Sequence, residues 1–206
     1  MSPSPKRRKP NSSHSKHKKV KTSRGLVRII AGTHRARRLP VLVHEGLRPT
    51  GDRVKETLFN WLMASVEGSV CLDMYAGSGS LGIEALSRGA KHVVFIEQDK
   101  TVAQQITDNL TTLRELDNGT VINGSALTAE LAKESQFNIV FIDPPFAKNM
   151  LEQSIEKLIS DDVLAKNAYV YIEAGHSDEY SVPKEFVLVK QIKTSQVLAC
   201  LYQLEA

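Results

Sequence analysis

Cysteine is scarce: Cys71 and Cys200 are the only two in 206 residues. Neither belongs to a Cys-x-x-Cys pair, which excludes a zinc ribbon or a thiol redox motif. A chain of this length buries roughly 70% of its unfolded surface, so stability requires no disulfide and no structural metal. Long apolar runs are also missing, and none approaches the ~20 residues that cross a bilayer. The basic N-terminus has no apolar segment behind its charges, which argues against a secretory signal, although an organelle transit peptide shares that composition. No internal repeat is present. The expectation is a monomeric protein of a reducing, cytoplasmic compartment, with one main domain, no membrane and no metal.

Acidic side chains are absent from the first 44 residues, Glu45 being the first. Residues 1–24 carry nine Lys and Arg, and residues 25–53 hold six arginines against Glu45 and Asp52. The remaining 153 residues, 54–206, are net acidic by nine charges. One end of the protein is therefore built to meet a polyanion, and nucleic acid is the leading candidate. Residues 1–24, with Val20 their only aliphatic side chain, cannot offset their ordering entropy and are expected to be a disordered basic tail.

From Leu26 the pattern changes. Leu26–Ile30 and Leu39–Val43 read as strands of a small hairpin around the basic turn Gly32–Arg38. Gly46–Thr50 reads as a turn, and Thr50 or Asp52 can cap a helix running to about Val66. Val54, Leu58, Trp61, Leu62 and Val66 recur at helical spacing on its buried face. Apolar runs at Val70–Leu72, Val93–Ile96, Ile139–Ile142 and Tyr169–Ile172 read as parallel strands covered on both faces, with a short strand at Val121–Ile122. Helical stretches are expected near 80–88, 99–115, 126–134 and 149–160. Phe186–Ile192 and Val197–Leu204 read as a closing hairpin. The predicted fold class is α/β: a doubly wound, mostly parallel Rossmann-like sheet with a C-terminal antiparallel hairpin and a small N-terminal β-hairpin.

The first of these strands ends in Asp73-Met74-Tyr75-Ala76-Gly77-Ser78-Gly79-Ser80-Leu81-Gly82, a G-x-G-x-x-G pattern opening a helix. Alone it fits NAD, FAD or S-adenosylmethionine. Glu97 ends the second strand, where a carboxylate can accept both hydroxyls of an unphosphorylated ribose. Ile139–Ile142 runs into Asp143-Pro144-Pro145-Phe146. Successive prolines hold the backbone extended and remove two amide donors, leaving the Asp143 and Pro144 carbonyls to accept from outside the protein. Asp143 adds a side-chain acceptor and Phe146 a flat apolar face, a complement to an exocyclic amine on a planar base.

Asp-Pro-Pro-Phe placed 70 residues after Asp73 resembles the class I S-adenosylmethionine-dependent amino-methyltransferases. Arg28–Gly32, Leu47–Leu62 and Ile139–Phe146 resemble more narrowly the RsmD family, bacterial methyltransferases of the 2-amino group of a guanine in 16S ribosomal RNA. The resemblance covers about residues 26–204, while Met74 and Tyr75 depart from the residues common in that family. It implies S-adenosyl-L-methionine as cofactor and a methyltransferase domain over 51–206, preceded by an RNA-binding extension over 25–50. It implies that Asp73, Tyr75, Ala76, Gly77, Ser78 and Gly79 hold the methionine side of the cofactor. Glu97 would bind the ribose, Gln98 flank the adenine, and Asn123, Ser125 and Ala126 lie against its edge. Asp143, Pro144, Pro145 and Phe146 are the implied catalytic set, and 16S RNA, within a small-subunit particle, is the implied partner.

Other amino-methyltransferases, on DNA adenine or cytosine or on a glutamine amide, share the same pocket logic. A non-catalytic RNA-binding assembly factor is a further alternative, whereas a dehydrogenase would have no use for Asp143–Phe146. RNA binding is expected of Arg28, Arg35, Arg37, Arg38, Arg48, Thr50 and Arg53, since guanidinium forks pair with phosphate. RNA affinity is therefore expected to fall steeply with rising salt in a filter-binding titration, and a flat dependence overturns that assignment.

Overall fold

The computed structural model describes residues 23–43, 51–132, 136–145, 150–176, 179–195 and 197–205. The tail 1–22, the turn at 46–50 with Arg48 and Thr50, and Phe146 lie outside these residues. Two strands, β1 (Ser23–Arg28) and β2 (Arg38–Val43), pair antiparallel. Helix α1 (Asp52–Trp61) leads to β3 (Val70–Asp73), α2 (Ser80–Ser87), β4 (His92–Glu97), α3 (Lys100–Leu113) and β5 (Gly119–Asn123). Then come β6 (Phe137–Ile142), α4 (Met150–Ser160), β7 (Leu164–Gly175), β8 (Phe186–Lys193) and β9 (Val197–Leu204).

The seven-stranded sheet has the order β5-β4-β3-β6-β7-β9-β8. Strands β3 to β7 run parallel, and β9 joins β7 antiparallel as the middle member of the closing pair. The central parallel strands β3, β4 and β6 are largely buried on both faces, which is why they read as continuous apolar runs rather than alternating ones. Chain order reverses between β3 and β6, so the crevice of the doubly wound sheet lies beyond their C-terminal ends. Both singled-out loops, after Asp73 and at Asp143, emerge there. Among the described residues no helix is long and apolar enough to cross a membrane.

Four expectations differ from the structure, the first being the cap of α1: Gly51 stands at its N-cap, with no side-chain cap hydrogen bond, and Asp52 is already helical. The helix at 126–134 is absent among the described residues: Ser125 O accepts from Thr128 N and Ala129 N, and the turn stops there. Among the described residues of that stretch only Ala126 and Ala129 are buried, too little apolar area to hold a short helix together. Helix α1 ends at Trp61, five residues before Val66. Successive turns onto the Leu62 carbonyl carry Ser65 and Val66 round to β3, so Val66 stays buried without being helical. The first strand also begins at Ser23, three residues before Leu26.

The hairpin docks on the end of α2 rather than standing apart. Glu84, fully buried in α2, accepts from the amides of Ile30 at 2.8 Å and Ala31 at 3.0 Å. Arg88 Nε lies 2.8 Å from the same carboxylate and Lys55 Nζ 3.8 Å from it. Lys55 is itself buried, donates to Arg28 O at 2.6 Å, and has its ammonium pKa lowered by that burial. Next along, Ser87 O accepts from Thr33 N at 2.7 Å and Ser87 Oγ from His34 N at 3.0 Å. The chain passes so closely that a Cβ on Gly32 would sit 1.7 Å from Ser87 O, at a φ of +83°. Gly32→Ala is therefore expected to cost ~2–4 kcal/mol through overlap and strain. A large fall in Tm checks this, and an unchanged Tm contradicts the docking role.

Candidate active site

Each parallel strand bordering the crevice ends in an acid. Asp73 ends β3, Glu97 ends β4, Asp143 follows β6 and Glu173 lies near the end of β7. Register pairs Asp73 with Phe95 and with Phe141, and Phe141 with Tyr171. Side chains alternate along a strand, so Glu97, Asp143 and Glu173, two residues on from those partners, share the face of Asp73. The sequence pattern pointed to Asp73, Glu97 and Asp143 but missed Glu173. Its signal was present: Glu173 follows Tyr169–Ile172 as Asp143 follows Ile139–Ile142.

Asp73 is buried, and its Oδ2 accepts from Gly82 N at 3.1 Å. Burial is the main cause that pushes its carboxyl up to about 7, with the negative Glu97 adding to it and the Gly82 amide opposing. That amide is close because Gly82 has no side chain: a Cβ there would meet the Phe95 ring at 2.2 Å. Between them runs the glycine loop, with φ of +52° at Gly77 and +74° at Gly79, ending on the first residue of α2. There Ser80 buries a hydroxyl with no hydrogen-bond partner, the single such side-chain atom among the described residues.

Glu97, half-buried, accepts from Gly77 N at 2.8 Å and from Asp99 N at 2.7 Å. Burial raises its pKa against these amides. The carboxylate thus braces the glycine loop and the start of α3, where Asp99 caps Thr101 and Val102. Gln98 is exposed beside it. Asn123, paired with Glu97 in register, donates from Nδ2 to the carbonyls of Glu97 and Gln98 at 3.0 Å each. Ser125 is half-buried and Ala126 buried in the turn that follows.

Tyr75 departs from the glycine loop toward α4. Its hydroxyl is 2.7 Å from Ser154 Oγ, which donates to Met150 O at 2.6 Å. The loop at Asp73–Gly79 is thereby tied to the first turns of the helix that follows Asp143-Pro144-Pro145. Of that segment Pro144 is buried, Asp143 half-buried and Pro145 exposed.

The structure gathers Asp73, Tyr75, Ala76, Gly77, Ser78, Gly79, Glu97, Gln98, Asn123, Asp143, Pro144 and Pro145 around one crevice. It does not gather the arginines of the basic turn there. Arg37 Nη2 donates to Thr112 O and His34 pairs with Glu115 at 2.7 Å, both at the far end of α3. A helix of 14 residues spans about 21 Å, so the turn carrying Arg35, Arg37 and Arg38 lies about that far from the crevice. Helix α1 likewise runs away from the crevice, toward the start of β3, which places Arg53 in its first turn at the crevice end. Arg28 is exposed between the two ends.

The family described as Conserved hypothetical protein 95 matches residues 27–203. The chain belongs to this family. Ribosomal RNA small subunit methyltransferase D of Haemophilus influenzae is 51% identical over 191 residues, covering 90% of this chain and 99% of that protein. The Escherichia coli protein of the same name is 45% identical over 183 residues, covering 88% and 92%. Among solved structures, yhhF of Escherichia coli superposes with a TM-score of 0.81 at 45% identity, covering 88% of this chain and 99% of that one. The methylase HI0767 of Haemophilus influenzae gives 0.77 at 46% identity, covering 88% and 100%. The resemblance read from the motifs and the methyltransferase fold both hold for this chain.

Raising the Asp73 pKa carries a stability consequence. The folded state holds that proton more tightly than the unfolded chain, so the contribution of Asp73 to stability falls as pH rises from 3.8 to about 7. Asp73→Asn keeps an acceptor for Gly82 N–H and cannot ionise. Its stability advantage over the native chain is expected to grow across that window and level off above it. Denaturant midpoints measured against pH test this, and parallel curves contradict it.

Proposed function

We propose that the chain transfers a methyl group from S-adenosyl-L-methionine to the 2-amino group of a guanine in 16S, small-subunit ribosomal RNA. The observation that carries this reading is Asp143-Pro144-Pro145 at the switch point beside the Asp73 glycine loop, in a chain 51% identical to a small-subunit rRNA methyltransferase.

The residues of the crevice fit the cofactor. Ser80 leaves a buried hydroxyl unpartnered at the end of the glycine loop, and the raised pKa of Asp73 and Glu97 marks two carboxylates short of positive partners. A ligand carrying a sulfonium, an ammonium and a ribose diol supplies both the cation and the donors. When bound, S-adenosylmethionine supplies an activated methyl group. Asp73, Tyr75, Ala76, Gly77, Ser78 and Gly79 would hold its methionine side and Glu97 its ribose. Gln98, Asn123, Ser125 and Ala126 would flank its adenine.

At the acceptor, the amino nitrogen of guanine is a weak nucleophile because its lone pair is delocalised into the ring. Its two hydrogens donate to the Asp143 carboxylate and the Pro144 carbonyl, which favours a pyramidal nitrogen with its lone pair directed across the crevice. Holding that geometry supplies much of the acceleration. The Asp143 carboxylate also stabilises the positive charge that develops on the nitrogen. The base must leave its stack to reach the crevice, with Phe146 as its stacking partner. Arg53 belongs with phosphate near that base and Arg28 with phosphate midway, and Arg48 and Thr50 are further candidates for phosphate. Arg35, Arg37 and Arg38 meet phosphate some 20 Å away, a span that suits structured RNA in a small-subunit particle.

The test is transfer of labelled methyl to undermodified 16S RNA and to small subunits assembled from it, followed by nucleoside analysis. The expected product is 2-methylguanosine. Asp143→Ala is expected to cut transfer by about 10²-fold or more while leaving cofactor binding nearly intact. Label on adenine or cytosine, or full activity in Asp143→Ala, overturns the assignment.

A further inference from the structure

Asp143 and the Pro144 carbonyl accept from any exocyclic amine, so by themselves they do not distinguish guanine from adenine, cytosine or an amide. Glu173 stands where that distinction can be made. Strands β6 and β7 pair in register up to Ile142 and Ile172, so Asp143 and Glu173 are the next residues on adjacent strands, on one face of the sheet. Neighbouring strands lie about 4.8 Å apart, close enough for two carboxylates to meet one base edge.

The Glu173 side chain is held in place. Tyr171, fully buried and packed against Phe141 with ring centroids 6.4 Å apart, donates its hydroxyl to Glu173 Oε2 at 2.8 Å. Burial is the main cause that raises the pKa of this phenol, with the negative charges of Glu173 and Asp143 adding to it. Glu173 is half-buried, and among the described residues no Lys, Arg or His forms an ion pair with it. A partly desolvated carboxylate with one phenolic donor still has acceptor capacity to satisfy. Guanine offers N1–H next to its 2-amino group, two donors side by side. Adenine and 2-aminopurine carry an acceptor at N1.

We propose that Glu173 is a specificity residue that accepts the N1–H of the acceptor guanine while Asp143 and Pro144 hold its 2-amino group. The inference rests on the proposed function and adds the reason that guanine is chosen. A carboxylate facing the N1 acceptor of adenine or 2-aminopurine would be left repelled and unpaired, which is the larger part of the discrimination.

The test uses the full chain and the RNA substrate carrying either guanine or 2-aminopurine at the methylated position, with kcat/KM measured for each. The native protein is expected to prefer guanine by about 10-fold or more. In Glu173→Gln the amide still accepts from Tyr171 and can donate to N1 of 2-aminopurine, so the preference is expected to collapse or invert. Tyr171→Phe, which removes only the phenolic donor that aims the carboxylate, is expected to weaken the preference with S-adenosylmethionine affinity unchanged. It serves as the second variant should Glu173→Gln fail to fold. A structural role alone would lower both substrates equally, and an unchanged ratio in the folded variants overturns the proposal while leaving the guanine reading intact. Absence of guanine methylation by the native protein overturns both.

Discussion

A buried carboxylate organises the N-terminal half of this protein. Glu84 sits in α2 with no solvent access, and two backbone amides, a guanidinium and an ammonium converge on it. They come from three parts of the chain: the turn after β1, α1, and Arg88 at the C-cap of α2. A buried charge left without its partners costs several kcal/mol, so the three elements are held to one arrangement. Arg88, while bonded to Glu84, also lies 5.0 Å over the Phe59 ring, which packs on Phe141 of β6. The ion cluster is thereby continuous with the core beneath the crevice, and α2 carries the glycine loop at its other end.

The crevice itself follows from parallel pairing. Parallel strands in register end together, so a residue type placed one step beyond each apolar run becomes a row across the sheet. Asp73, Glu97, Asp143 and Glu173 form such a row, separated by tens of residues in the chain. Their environments then differ by burial and partner. Asp73 meets one backbone amide, Glu97 two, and Glu173 a phenol. Burial raises the pKa of Asp73, Glu97 and Glu173, and the charge of Glu97 adds to it at Asp73, the condition in which a cationic ligand or an array of donors is bound favourably.

The basic charge is distributed differently from the acids. Arg53 lies in the first turn of α1 while Arg37 reaches Thr112 at the far end of α3, so the described arginines of residues 25–53 are spread out rather than ringing the crevice. A small substrate has no use for contacts at both ends. A folded polyanion does, and its phosphates would position the base that enters the crevice.

Much of this was legible in the chain. Continuous apolar runs revealed the parallel strands because such strands are buried on both faces. Gly77, Gly79 and Gly82 with Asp73 marked the turn because tight backbone geometry admits few residue types, and Asp143-Pro144-Pro145 marked the end of β6 because proline removes ladder donors. Arg28–Gly32 was legible as a motif but not as a mechanism, since its reason, Glu84 and Ser87 more than 50 residues on, is a tertiary contact. The expected helix at 126–134 failed for a related cause: propensity was adequate, but the sheet offered it too little surface to bury. Local pattern thus determined the elements, the glycine turn and the proline-closed end of β6, because these depend on neighbours in sequence. The pairing of strands and the docking of α2 decided which acids share a face, which arginines lie far from them and what Glu173 touches, because those distances are set by contacts between residues remote in the chain.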